Sequence, residues 1–340
     1  MRAGLASSPW QQTDDTATRV KGLNEHCHIL CNPLYTAYFT LLKKDRQSVI
    51  DVLSNEGPRR YLFNQQAAAY FQARRLGQRL MEKVGQLPQG TLLDEAGIEQ
   101  AIKEQFGEIP EQQRKIIKDG ARVAAYRAEE EAPVVKLLVC DDAGQSKGIT
   151  AEVGLCWVHD ARHYKQLTPV IELHRKLLDE FMDQYWKYYQ QLREYKENPT
   201  KEGAESLAQK FDELFGTQTG YQALDERISK TRENKVALLV VLRHPEVPLH
   251  NNASELGARA RVRKRDVSLG PRTAEGVRAW DTGQTIVETA KKLGVSVYAY
   301  IKDRLSGANQ MPSLAEIIRE KAKQMHLGES WGSNSASPNF

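Results

Sequence analysis

The sequence predicts an α/β fold, and three observations predict it. Short runs rich in β-branched and aromatic residues follow one another near the start, a continuous apolar run recurs at 133–140, and helical 3-to-4 spacing governs most of what remains. The runs TATRV (16–20), HCHILC (26–31) and TAYFTLL (36–42), punctuated by KGLNE and NPLY, read most simply as an antiparallel meander. DRQSVIDVLSNEG then sets Val49, Ile50, Val52 and Leu53 on a helical stripe that Gly57 stops. From 61 to 132 the pattern is helical throughout, with Ala69, Ala73, Leu76, Leu80, Val84 and Leu87 in register, and it reads as a helical insertion. PVVKLLVC (133–140) has the character of a strand buried on both faces, and it ends on Asp141 and Asp142. EVGLCWV (152–158) reads as a further strand.

Ile171, His174, Leu178, Phe181, Tyr185, Tyr188, Leu192 and Tyr195 then alternate steps of three and four, a coiled-coil seam stopped by ENPT. Leu207, Phe211, Leu214 and Phe215 form a second amphipathic face able to fold back on the first, and a third helix is predicted from about Leu224 to Leu242. Two more helices close the chain: one carries Val277, Trp280, Ile286, Val287, Ala290 and Leu293 and stops at Gly294, and Ser313 with Glu316 forms a capping box ahead of Ile317 and Ile318.

A chain of 340 residues with 40% hydrophobic content buries a substantial core, in one elaborated domain or a few smaller units. Its formal net charge is only +4, but residues 256–278 hold seven Lys/Arg against the two acids Asp266 and Glu275, so the basic character is local. The N-terminus lacks an apolar signal core, and the longest strongly apolar run, Val236 to Leu242, is too short to cross a bilayer; the expectation is a cytoplasmic protein without a membrane partner. Four cysteines (Cys27, Cys31, Cys140, Cys156) make no disulfide framework in a chain of this size, and the polar tail from 328 reads as disordered.

Acids fall at the edges of these elements: Asp14/Asp15 beside the first strand, Asp141/Asp142 after the buried strand, and Glu255 near the start of a helix that Asn251 or Asn252 is placed to cap. Three carboxylates gathered by a fold suit hard divalent cations, which take oxygen ligands and keep positions open for water and phosphate. Acids in such places are also ordinary solvated turn residues or helix-dipole partners. Downstream of Glu255 stand Arg259, Arg261, Arg263, Lys264 and Arg265, five cations in seven positions. Such a run is either a solvated helix face or a phosphate-binding stripe, and its density favours nucleic acid. Cys156 and His159 in C-W-V-H, extended by Arg162 and His163, have zinc-compatible spacing with only two local ligands; a buried thiol beside a hydrogen-bonded histidine is the simpler reading.

DDTATRV (14–20), LVCDDAG (138–144), LCWVHDARHYKQL (155–167) and LHNNASELGARARVRKRDVSLGPRTAEGVRAWDT (249–282) together resemble the insertion sequence sixty-six family of bacterial DDE transposases. The resemblance implies a ribonuclease H-like mixed sheet flanked by helices, with large helical insertions. It divides the chain into a first part of the core (1–57), a helical insertion (58–132), a core continuation with the second Asp and the Cys-x-x-His segment (133–168), a helical hairpin insertion (169–230), a stretch with the Glu255 helix and basic stripe (231–268), a C-terminal helical region (269–327) and the tail (328–340).

Carried over residue by residue, the catalytic and metal-binding acids fall on Asp14, Asp141 and Glu255, with Asp15 and Asp142 as alternatives. The DNA contacts fall on Arg259, Arg261, Arg263, Lys264 and Arg265, and supporting roles on Asn251, Asn252, Cys156, His159 and Arg162. The implied chemistry is cleavage and strand transfer of DNA by phosphoryl transfer, with two magnesium ions, or manganese in their place, on the acids. The implied partners are transposon ends and target DNA, a second copy of the chain when assembled on DNA, and other transposon-encoded proteins, in a nucleoid-associated setting. Tyrosines of the 171–195 seam are placed to stack on bases, close a dimer, or pack within a hairpin. Because the first acid comes so early, a truncated, non-catalytic DNA-binding or oligomerisation remnant is the second reading, and a ribonuclease H-like nuclease without strand transfer a third.

Overall fold

The computed structural model describes residues 1–332. After a short helix α1 (Arg2–Ala6) come β1 (Trp10–Val20), β2 (Leu23–Asn32) and β3 (Tyr35–Leu41), then α2 (Arg46–Leu53). The next stretch holds β4 (Tyr61–Leu62), α3 (Gln65–Ala73), α4 (Gln78–Val84), β5 (Leu92–Leu93), α5 (Glu95–Phe106) and α6 (Glu111–Arg127). Then follow β6 (Leu137–Cys140), β7 (Glu152–Leu155), α7 (Trp157–Lys165), α8 (Glu172–Glu197), α9 (Lys201–Leu214), α10 (Gln222–Glu233) and α11 (Lys235–Leu238). Last are α12 (Asn252–Ser268), α13 (Ala274–Leu293), α14 (Val297–Leu305) and α15 (Leu314–Met325). None of the described helices is long and apolar enough to cross a membrane.

The main sheet has the order β3-β2-β1-β6-β7, antiparallel across the meander and parallel from β1 through β6 to β7. A mixed five-stranded sheet with helices on its faces is the ribonuclease H-like arrangement that the resemblance implied. The central strand β1 begins at Trp10, not at residue 16 as its apolar alternation suggested. Gln11, Gln12 and Thr13 are buried there because each finds a partner: Gln11 Nε2 donates to Ser8 O, Gln12 Nε2 to His250 O, and Thr13 Oγ1 to Ile29 O. Asp14 and Asp15 therefore lie within a strand rather than beside one.

The outer edge of β3 is covered by α13. Thr289, Thr285 and Asp281, spaced one helical turn apart, accept the backbone N–H groups of Thr36 (3.2 Å), Tyr38 (3.1 Å) and Thr40 (2.7 Å). Four residues of helix and two of strand advance the chain by nearly the same length, so one helix face serves every outward N–H in turn. Helix α12 lies against β1 and β2 in close contact at Gly257, where a β-carbon would stand 2.8 Å from Ile29 Cγ2, and Tyr38 donates its hydroxyl to Gly257 O at 3.1 Å.

Other expectations are corrected. The 61–132 stretch is not wholly helical, since Tyr61–Leu62 pairs antiparallel with Leu92–Leu93. The strand expected over 152–158 ends at Leu155, because Cys156 N–H makes the last sheet bond, to Cys140 O, and Trp157 N–H turns to Leu249 O. The helix expected over 224–242 breaks at Asn234 into α10, α11 and a 3₁₀ turn. The tyrosine seam of α8 is spent inside the molecule: Tyr185 donates to Trp157 O and Asp160 Oδ2, Tyr188 to Leu207 O, and both rings pack with Trp157 and Phe215. The tail expected to be disordered from 328 is instead tied down at Ser330 and Trp331: Trp331 stacks on His244 at 3.7 Å, and Ser330 N–H donates to Glu246. The rest of that expectation, 333–340, lies outside the described residues.

Candidate functional site

The parallel register pairs Gln12 with Val139, and two more residues along each strand bring Asp14 level with Asp141. Glu255 approaches from α12, held by Asn251. The Asn251 side chain donates through Nδ2 to Thr13 O (2.7 Å), next to Asp14, while its backbone N–H bonds Cys156 Sγ (3.2 Å). The helix cap expected of Asn251 or Asn252 is not made: Asn251 stands at the N-cap position with no side-chain cap bond, its amide used to tie the helix start to β1, and Asn252 is exposed.

Asp14 and Glu255 border one cleft, and Asp141 lies near enough for its charge to act on Asp14. Burial raises the Asp14 pKa to about 6, and Asp141, Asp15 and Glu255 push it the same way, against the lowering effect of the Asp15 N–H bond (2.8 Å). Asp14, Asp15, Thr16, Glu255, Arg259 and Arg263 help line an open cleft of about 360 Å³. The second member of each tandem pair has a cation beside it: Asp15, which also borders the cleft, contacts Lys44 (3.6 Å) and His26 (3.9 Å), and Asp142 pairs with Lys147.

Helix α7 supplies the remaining neighbours of Glu255. Residues 159 and 162 share a face at one-turn spacing, so Arg162 Nη2 reaches Glu255 Oε2 (3.1 Å) while Nη1 bonds His159 Nε2 (2.9 Å). A guanidinium only donates, so Nε2 accepts and the ring carries its proton on Nδ1. Burial lowers the His159 pKa, and Arg162 acts in the same direction against Glu255. Cys156, His159 and Glu255 each offer a ligand atom within 4.8 Å of the others. The thiol is pushed up by burial and accepts the Asn251 N–H, and Arg162 already occupies His159 Nε2; among the described residues Asp14 and Asp141 do not join this trio at that spacing. All four cysteines are free and buried; Cys27 and Cys31, with His26 and His28, lie on β2 and add no ligand to the trio.

The basic stripe does not act as one. Arg259 is 64% exposed and lies 3.6 Å from Glu255, and Arg263 is exposed beside it on the cleft. Arg261 is only 2% exposed. It bonds Gln284, Thr40 Oγ1 and Asp281 and stacks on Trp280, which corrects its assignment as a DNA contact: it fastens α12 to the α13 edge cap. Lys264 stands over Trp280 at 4.8 Å, and Arg265 donates to Ala17 O. The link from Arg162 to Glu255 was missed as a contact; the His159/Arg162 spacing was its available signal.

Residues 137–279 match the profile of the Transposase IS66 family. A relative described as "Uncharacterized protein y4jO", from Sinorhizobium fredii (strain NBRC 101917 / NGR234), is 29% identical over 323 residues, covering 95% of this chain and 100% of the relative. No solved structure matches the chain.

Proposed function

We propose, from the match of residues 137–279 to the Transposase IS66 family, that this chain catalyses divalent-metal-dependent DNA strand cleavage and strand transfer with Asp14, Asp141 and Glu255 as metal ligands. The family implies DNA as partner and a divalent metal in general. The observation that supports the finer reading is that the half-buried Asp14 shares a cleft with Glu255 and that burial and the charges of Asp141 and Glu255 all raise its pKa, which a bound cation would offset.

The donor set suits the cation class. Carboxylate oxygens on an open cleft fit magnesium or manganese, which keep positions for water and phosphate, better than they fit a closed structural site. Bound there, a pair of such ions supplies the Lewis acidity for in-line displacement at phosphorus. The chain's own residues do the rest. Asn251 fixes α12 against β1 and so sets the distance of Glu255 from Asp14, while Arg162 and Arg259 hold the Glu255 carboxylate and limit its rotation. Arg259 and Arg263 face the cleft and hold phosphate oxygens without reading sequence.

The experiment is nicking and strand joining of labelled DNA ends in magnesium or manganese, comparing wild type with Asp14→Ala, Asp141→Ala and Glu255→Ala. Loss of chemistry in all three, with DNA binding kept, is expected. Undiminished activity in all three removes the site assignment, and a wild type that binds DNA without chemistry favours a non-catalytic DNA-binding protein.

A further inference from the structure

On the other face of β1 from Glu255 lies a second cationic surface. Successive strand residues point to opposite faces, so Asp14 looks toward α12 while Asp15 looks toward the β3–α2 turn, where Lys44 meets it at 3.6 Å. That turn, the start of α2 and the 58–132 insertion wall a cleft of about 560 Å³, with Lys43 and Lys44 from the turn, Arg46 from the first position of α2, Arg74 just after α3, and Lys115 from α6. Its floor includes Gly144 and Gln145, just beyond Asp141 in the chain.

Among the described residues the only acid lining it is Asp45, whose carboxylate is taken up capping α2 through Ser48 N–H and Oγ, both at 3.0 Å. Arg46 is part of the wall, bonded to Asp119 and to the Gly144 and Lys147 carbonyls. Lys43, Arg74 and Lys115 are exposed, Arg74 lying over the Tyr70 ring, and neither Lys43 nor Lys115 has an ion-pair partner among the described residues. Holding unpaired cations together costs electrostatic free energy, which a polyanion offsets.

We propose that this cleft is a DNA-backbone surface built by the insertion and the β3–α2 turn, holding the duplex on the side of the acids opposite Arg259 and Arg263. The inference rests on the DNA-processing reading above and assigns the 58–132 insertion a role in it. The acids then stand between two cationic surfaces, so a duplex gripped by both lies across them, with its phosphates as the recognised groups.

The test is fluorescence anisotropy of a labelled duplex in EDTA over a salt series, so that binding is read without chemistry. The triple variant Lys43→Gln/Arg74→Gln/Lys115→Gln removes three exposed cations and leaves the buried core untouched. It is expected to reduce the slope of log K against log salt by about 2–3, and affinity near 0.1 M salt by at least about tenfold. A control triple on exposed sites of the helical hairpin and α10, Lys201→Gln/Lys210→Gln/Lys230→Gln, has the same net charge change and is expected to leave the slope unaltered. A cleft variant that binds like wild type, while Arg263→Gln binds more weakly, overturns the proposal and leaves the functional reading standing. Equal losses in the cleft and control triples also overturn it, because net charge then explains both. A wild type that does not bind DNA overturns this proposal and the functional reading together.

Discussion

Replacing Asp14 by asparagine should make the metal-free protein more stable while removing its proposed chemistry. Asp14 ionises near pH 3.8 in an unfolded chain and at about 6 in the fold. A raised carboxyl pKa means that the folded state holds its proton longer, so stability falls as pH rises between these values and stays lower above them. A difference of about two units corresponds to roughly 3 kcal/mol at neutral pH, reduced to about 2 by the solvent that still reaches the side chain. The substituted side chain would keep the bond from the Asp15 N–H, since its amide oxygen accepts as the carboxylate does. With an unfolding entropy of about 2.1 cal/mol/K per residue, 340 residues give about 0.7 kcal/mol/K, and the substitution raises Tm by about 3 °C. The assay is thermal unfolding in EDTA at pH 7.5 and pH 4.5, where the advantage should shrink to about a third. Saturating manganese should reverse the order, because it stabilises wild type through all three acids. An Asp14→Asn protein no more stable than wild type at pH 7.5 in EDTA would show that burial and the neighbouring acids do not raise the Asp14 pKa, and the reasoning fails.

Arg261 and Arg263 should separate structure from binding. Arg261→Ala leaves the mostly buried Asp281 without its cation and is expected to cost about 3–5 kcal/mol in chemical denaturation. Arg263→Ala should leave stability within about 0.5 kcal/mol and reduce the salt slope of DNA binding by about 1. Asn251→Ala removes the bond to Thr13 O and should cost about 1–3 kcal/mol; single-turnover cleavage should fall well beyond any change in DNA affinity, because Glu255 loses its reference to Asp14.

Periodicity exposed the parts of this fold where apolar residues face a core. β2, β3, β6 and the seam of α8 were legible for that reason, since each buries its expected face. The first half of β1 was hidden because its buried residues include Gln11, Gln12 and Thr13, which a core accepts only when other chain segments satisfy them. β4 and β5 were missed as two-residue pairings too short to show an alternation. At the site, the three acids could be named from the order of motifs, but sequence could not separate Asp14 from Asp15. Strand geometry divides them between the two faces, and only the register against β6 brings Asp14 level with Asp141. Charge density misled at Arg261, because a helix face against α13 buries one cation of the run while its neighbours stay in water. The Asn251 bond to Thr13 joins segments far apart in the chain and leaves no local trace.

The central claim is that Asp14, Asp141 and Glu255 act together as one cation site. Manganese binding followed by electron paramagnetic resonance at pH 7.5, without DNA, tests it most directly, comparing wild type with Asp14→Asn, Asp141→Asn and Glu255→Gln. The account predicts saturable binding by wild type that each single substitution weakens by at least about tenfold, a loss of about 1.4 kcal/mol or more. Equal manganese affinity in all four proteins, or none in wild type, would contradict it.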